Sequence, residues 1–282
     1  MSFCEPARVV TVTSLTPHMR RISIEAEGDW HWPTGGQGDE RIDIAFPKPG
    51  ETEADYDYFN NPDYGKADLG TEPPWRHYTV RKVHDGGRRL DIDFVVHPGG
   101  IAADWALRAE PGHLLGVFWS DSSRSHYQAP AGPRWQLLVA DATGLPGLGR
   151  IVEELREGDV AQAIIEVETE EDRQEFVTRG DVTYTWLVGS GLGKAPSALF
   201  EAVEKVEFPE SESADVYAWV ACESATSRRI RKHLREVRGI ARDKHNVVGY
   251  WREGADGHVS GMNSEEVTVG AERVITLPAV CR

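Results

Sequence analysis

Apolar and polar residues alternate in short runs before residue 130 of the chain, and turn residues separate these runs. In the run LDIDFVV, Leu90, Ile92 and Phe94 alternate with aspartates, which is typical of a strand with one buried face. The runs are VVTVT (9–13), MRRISIE (19–25), RIDIAF (41–46), HYTVRKV (77–83), LDIDFVV (90–96) and LLGVFW (114–119). Strands at this spacing predict a small antiparallel barrel.

Two other segments interrupt the predicted barrel. IAADWALRAE (101–110) directly follows the turn HPGG and predicts a helix. The segment 47–75 is acidic, aromatic and rich in proline, and it has no periodicity. We interpret it as a long loop, or flap, over one edge of the barrel.

After residue 130 the pattern changes to strands that alternate with helices. The predicted strands are nearly all apolar, which is typical of strands covered on both faces. They are QLLVA (136–140), AIIEV (163–167), YTWLV (184–188), YAWVA (217–221) and NVVGYW (246–251). Between them lie LPGLGRIVEEL, ALFEAVEKV and ATSRRIRKHLREV, which have helical spacing. This alternation predicts a parallel sheet of the doubly wound type.

The stretch SDSSRSHYQAPAGPR (120–134) has the composition of a linker. We therefore predict two domains, residues 1–130 and residues 131–282. A chain of 282 residues is comfortable for two domains.

Composition excludes several classes of partner and of site. The formal net charge of −15 disfavours binding to nucleic acid or to an anionic membrane. The chain has three cysteines, Cys4, Cys222 and Cys281, whose spacing fits neither a zinc site nor a disulfide framework. No signal-like N-terminus and no membrane-length apolar run is present, so we expect a cytoplasmic protein. The histidines show no metal-ligand spacing, so we expect no metal site, and GxSxG is absent.

The segment GSGLGKA (189–195) comes after a predicted strand and before a predicted helix. Its glycine spacing fits neither a nucleoside-triphosphate loop nor the dinucleotide fingerprint. We interpret it as an ordinary turn.

Two further segments suggest a ligand. VADATGLPG turns sharply at Gly144 and Pro146, at the end of a strand where open sheets bind ligands. Thr143 could instead cap the helix, with Pro146 in its first turn, and both interpretations can hold together. The helix ATSRRIRKHLREV is strongly basic. It is either a solvated face or a surface for a cofactor phosphate.

The run WRHYTVRKV (75–83) places Arg76, Tyr78 and Val80 on one face of a strand. A guanidinium beside an aromatic ring suits a flat anionic ligand, although an ordinary cross-strand pair would have the same pattern.

These motifs together resemble the siderophore-interacting proteins of the ferredoxin reductase superfamily. The resemblance rests on RHYTVR, LDIDFVVHPGGIAADWALRAEPG, WQLLVADATGLPGLGRIVEEL, YAWVACESATSRRIRKHLREVRGI and NVVGYWREG, in the same order as in the family, from about residue 8 to 254. It implies a two-domain, ferredoxin-reductase-like fold. An N-terminal antiparallel β-barrel would bind the flavin, and a C-terminal α/β domain would have a parallel sheet.

The resemblance also implies an FAD site. Arg76 would pair with a phosphate, Tyr78 would pack on the isoalloxazine ring, and Thr79 would bind near the reactive edge of the ring. Trp105 would contact the dinucleotide or belong to the core. The remaining residues implied in FAD binding are Val80, His97, Gly99, Gly100, Ala102 and Ala103.

A nicotinamide site is implied in the second domain, for NADPH or NADH. Its residues would be Asp141, Thr143, Cys222, Glu223, Arg228, Arg229, Tyr250 and Trp251. Cys222 would lie near the nicotinamide or, as an alternative, in the core. If the donor is NADPH, Arg228 and Arg229 are the nearest candidates to bind its 2′-phosphate. The chain departs from the family pattern at residues 101–103, at Ala142 and at Cys222.

The function implied is that of an FAD-dependent ferric-siderophore reductase. Electrons from NAD(P)H or from a ferredoxin-like protein would reduce Fe(III) to Fe(II), and no acid, base or nucleophile of the protein is needed. One alternative is a flavin reductase that acts on another acceptor. The other is a flavoprotein that binds a ferric siderophore without catalysis.

Overall fold

The computed structural model describes residues 3–36, 38–119, 125–128, 131, 135–209 and 216–254. The predicted linker falls partly on residues 120–124, 129–130 and 132–134, which lie outside the described residues. The division at residue 130 therefore stays a prediction. None of the helices in the described ranges is both long enough and apolar enough to span a membrane.

The first part of the chain forms a closed six-stranded barrel, as predicted. All neighbouring strands are antiparallel, and their order around the barrel is β1-β2-β5-β4-β3-β6. The strands are β1 (Phe3–Thr16), β2 (Met19–Ala26), β3 (Arg41–Ala45), β4 (Trp75–His84), β5 (Arg89–Val95) and β6 (Leu114–Trp119). Ile22, Ile42 and Ile92 are completely buried inside it, because alternate residues of each strand face the interior.

The acidic segment that precedes β4 packs on the outside of the barrel. It contains one short helix, α1 (Tyr56–Asn60), which the sequence did not predict. Phe59 and Ala54 are buried beside Cys4 of β1. The side-chain amide of Asn60 both donates to and accepts from the backbone of Cys4, at 2.7 and 2.9 Å. The flap is therefore attached to the barrel at a fixed position.

The predicted helical insert is α2 (Ile101–Arg108). It closes one end of the barrel, and its Trp105 is completely buried among the core residues. The Trp105 ring lies 5.2 Å from that of Phe46 and 5.5 Å from that of Phe94, between centroids. Of the two alternatives for Trp105, the structure shows the core position.

The second part of the chain forms a five-stranded parallel sheet, as predicted, in the order β11-β10-β7-β8-β9. One face carries α3 and the barrel, and α4 and α5 cover the other face. The elements are β7 (Trp135–Ala140), α3 (Leu145–Glu153), β8 (Val160–Val167), β9 (Asp181–Val188), α4 (Leu199–Glu204), β10 (Val216–Glu223), α5 (Ser224–Glu236) and β11 (His245–Trp251).

The expectation that every strand of this sheet is covered on both faces is wrong for β9 and β11. Both are edge strands, and most of their residues, including Tyr184 and Trp186, are only half-buried. An apolar run identifies a strand, but the burial of the strand depends on its place in the sheet.

A buried ion pair joins the two halves of the molecule. Glu40, just before β3, lies 3.1 Å from Arg150 of α3. The Glu40 and Arg150 side chains are 0 and 7% exposed. Arg150 also donates to the carbonyl of Val80 in β4, at 2.9 Å, and Thr34 donates to Glu40 at 2.9 Å. These additional hydrogen bonds offset part of the cost of burying the two charges.

The neighbouring residues extend this contact. The Asp39 carboxylate accepts a hydrogen bond from the indole of Trp219 in β10, at 2.8 Å, and one from the backbone of Tyr127, also at 2.8 Å. A Cβ on Gly38 would lie 2.4 Å from the Ile151 side chain, so only glycine permits this approach to α3. On the far side of α3, Arg81 of β4 binds the carboxylate of Glu153 with both terminal nitrogens.

We expect Arg150→Met to lower the free energy of unfolding by about 3–5 kcal/mol, because it leaves the Glu40 carboxylate buried without its cation. Chemical unfolding followed by tryptophan fluorescence measures this. The double variant Glu40→Gln/Arg150→Met should lose less free energy of unfolding than the two single variants together, because it buries no charge without a partner. Lys232→Ala, which breaks an exposed pair with Glu236, is the control and should have little effect. Equal losses for Arg150→Met and Lys232→Ala would show that the buried pair does not hold the domains together.

Candidate functional site

The candidate site lies where β4 of the barrel meets the carboxyl ends of the parallel strands. The strand order reverses between β7 and β10, which continue to opposite sides of the sheet. Ligands of open α/β sheets bind at such a position. The site therefore has one wall from the barrel and one from the sheet.

Arg76 is a half-buried cation at the start of β4. Its guanidinium donates to the carbonyl of Trp75 at 2.7 Å, and no carboxylate contacts it among the described residues. Burial lowers the pKa of Arg76, because desolvation disfavours its charged form. Within the described residues this guanidinium therefore lacks a counter-ion, and a bound anion would supply one.

Tyr78 lies two residues further along and presents a half-buried ring. The ring centroid is 4.3 Å from that of Phe94 and 6.1 Å from that of Phe46. These contacts fix the plane of the ring, and burial raises the pKa of its hydroxyl. Val80 instead lies entirely in the barrel core, and its N–H and carbonyl are bonded to Glu40 and Arg150.

Thr79 points out of the barrel towards the sheet. It is buried, and its side chain lies near the Tyr250 hydroxyl at the end of β11. Burial raises the pKa of Tyr250. The structure therefore brings together two predicted site residues that are distant in the sequence.

The turn before α2 and the start of that helix form a second part of the site. Gly99 has a φ of 90°, and a Cβ there would meet nothing within 4 Å. Gly100 is the N-cap of α2 and supplies no side-chain cap, while His97 is exposed beside it. Ala102 and Ala103 are buried in the first turn of the helix. The Gly99 N–H donates to the exposed carboxylate of Asp104 at 3.0 Å, so the backbone that could meet a phosphate group is the first turn of α2.

Asp141 organises the turn between β7 and α3. Its carboxylate accepts from the backbone and hydroxyl of Thr143, at 2.9 and 2.5 Å, and from the indole of Trp251 at 2.7 Å. Burial raises the pKa of Asp141, against these hydrogen bonds. The expectation that Thr143 caps α3 is wrong: Gly144 is the N-cap, and Thr143 donates to Asp141 instead.

Gly144 allows the two central strands to meet closely at this turn. A Cβ on Gly144 would lie 2.3 Å from the carbonyl oxygen of Ala221 in β10. Any other residue would push the turn away from β10. The prediction of a sharp turn at the end of this strand is confirmed.

Cys222 and Glu223 have structural positions at the end of β10. Cys222 is completely buried on the sheet face that α4 and α5 cover, away from the barrel, with Ile230 and Leu234. Of its two alternatives, the structure shows the core position. The Glu223 carboxylate caps α5 by accepting from the backbone of Thr226 at 2.9 Å.

Arg228 and Arg229 lie on the exposed surface of α5. Arg229 pairs with Glu201 of α4 at 3.1 Å and stacks on Phe200, with its guanidinium 4.0 Å from the ring centroid. Arg228 has no partner within the described residues. Neither residue contacts the group formed by Thr79, Tyr250, Trp251 and Asp141.

The segment GSGLGKA forms a turn after β9, as we interpreted it. Ser190 and the backbone of Ala198 donate to Glu166, which is buried at the end of β8, each at 2.7 Å. A Cβ on Gly191 would meet the same carboxylate at 2.1 Å. The donors of this turn are thus used by an internal carboxylate.

Sequence reasoning missed the residues at the tip of β8. Glu168 and Asp172 lie beside His18 of the turn between β1 and β2, and with it line a small cavity next to Ala142. The acidic run ETEED (168–172), directly after the predicted strand 163–167, could have identified these residues from the sequence. In the described ranges, no group of three or more His, Cys, Asp or Glu side chains could hold a metal ion.

Comparison with protein families matches both halves of the chain. Residues 8–119 match the siderophore-interacting FAD-binding domain, and residues 133–254 match the siderophore-interacting protein model. The T. fusca siderophore utilization protein, a solved structure, is 28% identical with a TM-score of 0.71, covering 91% of this chain and 95% of its own.

Several curated relatives are named as reductases. Ferric vibriobactin reductase ViuB of Vibrio cholerae is 31% identical over 65% of this chain, and the match spans 66% of that relative's length. The NADPH-dependent ferric-chelate reductase of Escherichia coli is 26% identical over 64% of this chain and 68% of its own.

We expect the two described cysteines to resist thiol reagents in the native protein. Burial raises the pKa of Cys4 to about 12 and that of Cys222 well above its ordinary value, so the reactive thiolate is scarce even at pH 9. In a Cys281→Ser variant, a chromogenic disulfide should detect no rapid thiol in the folded protein and two after denaturation. A rapid native reaction mapped to Cys222 would contradict the core position.

Proposed function

The chain belongs to the siderophore-interacting protein family, and we propose that it is an FAD-dependent reductase of ferric siderophores. The observation that carries this proposal is Arg76. It is a half-buried guanidinium without a carboxylate partner in the described residues, at the start of a strand that also presents the ring of Tyr78. A flavin dinucleotide has both the anion and the flat ring system that these side chains suit.

The residues present fit FAD in three respects. Arg76 would bind a phosphate bidentately, and the N–H groups at the start of α2, after Gly100, would offer a second phosphate contact. The Tyr78 ring is held in place by Phe94 and would pack against the isoalloxazine. Thr79 and Tyr250 meet where the barrel faces the sheet and would limit access of water to the ring.

Bound FAD would supply the transfer of single electrons to Fe(III) in the docked siderophore. The protein residues bind and orient; none is required as an acid, a base or a nucleophile. Fe(II) is a softer ion and is held less tightly by the hard oxygen ligands of siderophores, so reduction releases the iron. A reducing cytoplasm is the compartment that suits this reaction, and the two described cysteines are free thiols.

The electron donor would be a nicotinamide nucleotide or a ferredoxin-like protein. The exposed face of α5, formed by Arg228, Lys232 and Arg235, suits an acidic protein donor, because opposite charges favour docking.

The proposal is tested without any donor by mixing photoreduced, FAD-loaded protein with electron acceptors under anaerobic conditions. Ferric hydroxamate and catecholate siderophores are compared with a small quinone, and a chelator specific for Fe(II) reports the product. We expect flavin absorbance to recover with at least one siderophore and about two Fe(II) to appear per flavin, since each iron takes one electron.

Two outcomes would contradict the proposal. Recovery with the quinone alone would indicate a flavin reductase with another acceptor. A flavin that stays reduced while the siderophore binds would indicate a binding protein.

We expect Arg76→Ala to weaken FAD binding about ten- to a hundredfold, because a charge-assisted contact to phosphate contributes about 1.5–3 kcal/mol. The dissociation constant is measured from the quenching of FAD fluorescence. Arg179→Ala, which removes an exposed arginine before β9, is the matched control and should bind FAD as the wild type does. Full flavin occupancy and an unchanged dissociation constant in Arg76→Ala would show that FAD is held elsewhere.

A further inference from the structure

The position of a nucleotide on the sheet follows from the strand order. In doubly wound sheets, a dinucleotide lies across the carboxyl ends of the strands at the point where the order reverses. The strand next to the first one carries, at its end, the residue that meets the 2′ position of the ribose. In this chain the first strand is β7, its neighbour on that side is β8, and Glu168 directly follows the last residue of β8.

A carboxylate at this position distinguishes the two nicotinamide nucleotides. It accepts a hydrogen bond from the free 2′-hydroxyl of NADH, whereas the 2′-phosphate of NADPH needs an arginine or another cation there. Glu168 is one of several carboxylates at the tip of β8, which also carries Glu170, Glu171 and Asp172.

The cations near the tip of β8 are already paired with these carboxylates. Lys194 contacts Glu168, and Arg173 lies 2.8 Å from Glu170. His18 lies between two carboxylates, 2.8 Å from Asp172 and 3.4 Å from Glu168. In the described ranges, Lys194 and Arg173 thus already have carboxylate partners, and His18 is flanked by two carboxylates.

The glycine-rich turn after β9 does not supply the missing site. Its Ser190 hydroxyl and the backbone N–H of Ala198 both donate to the buried carboxylate of Glu166. Glu166 therefore occupies these donors beneath the turn.

The arginines expected to bind a 2′-phosphate follow a strand on the other side of β7 from β8. Arg228 and Arg229 belong to α5, which follows β10, and β7 separates β10 from β8. Two strand spacings correspond to about 10 Å. Arg229 is also held by Glu201 and Phe200.

We propose that the nucleotide crevice of this chain rejects the 2′-phosphate of NADPH and accepts NADH, and that Glu168 determines this choice. The residues present do not fit NADPH, in contrast to the E. coli relative whose name gives it as the donor. The proposal rests on the proposed function, because it concerns the donor for the same flavin.

Direct binding tests the proposal independently of turnover. Calorimetry on the FAD-loaded protein at low ionic strength compares ADP with adenosine 2′,5′-bisphosphate, which differ in the position of one phosphate, and rapid mixing compares flavin reduction by NADH and NADPH. We expect ADP and NADH to bind about tenfold more tightly than their counterparts, since a phosphate close to a carboxylate is repelled. Added salt should narrow the difference.

Two matched variants locate the effect. Glu168→Gln removes the charge at the tip of β8 and should reduce the preference about threefold or more. Glu157→Gln removes the same charge from an exposed position before β8, at the amino end of that strand. It should leave the preference for NADH unchanged. Both variants change the net charge equally, so a difference between them reports position.

Three results would overturn the proposal. They are equal or tighter binding of the 2′-phosphorylated ligands, no binding of either type, and an equal effect of the two variants. None of these affects electron transfer from photoreduced protein to a ferric siderophore, which needs no nucleotide. Conversely, failure of that transfer with an intact preference for NADH would reject the proposed function alone.

Discussion

The buried pair between Glu40 and Arg150 is the contact on which the arrangement of the site depends. Two charges are removed from water here, and hydrogen bonds between each of them and neighbouring groups offset part of the cost. One of those groups is the carbonyl of Val80, in the middle of β4. The pair therefore fixes the strand that carries Arg76, Tyr78 and Thr79 against α3. Gly38, Asp39 and Arg81 add further contacts across the same junction, where Thr79 lies near Tyr250.

Charge distribution explains how a chain of net charge −15 can hold an anionic cofactor. Many of its cations are used internally: Arg21 by Asp93, Arg81 by Glu153 and Arg150 by Glu40. Arg76 is different, because it is half-buried and no carboxylate contacts it in the described ranges. At the tip of β8, by contrast, Lys194 and Arg173 are paired with carboxylates in the described ranges. The proposed preference against a 2′-phosphate follows from this pairing.

Local periodicity was sufficient to predict the barrel, the parallel sheet and most helices, because strands and amphipathic helices bury one face at regular intervals. Positions determined by distant contacts were not predictable in this way. Thr143 looks like a helix cap, but Asp141 binds it. Cys222 lies near the end of β10, which leads to the site, but its side chain is buried on the sheet face away from the barrel. The pairing of Arg229 with Glu201 likewise depends on the packing of α4 against α5.

The most direct test of this account is the distance between the Arg76 guanidinium and the nearest FAD phosphate oxygen in a crystal structure of the FAD-loaded protein. We predict hydrogen-bond distance, below about 3.2 Å, with the isoalloxazine packed against Tyr78. An FAD whose phosphates are bound away from Arg76, with its ring outside the junction of β4 and the sheet, would contradict the account.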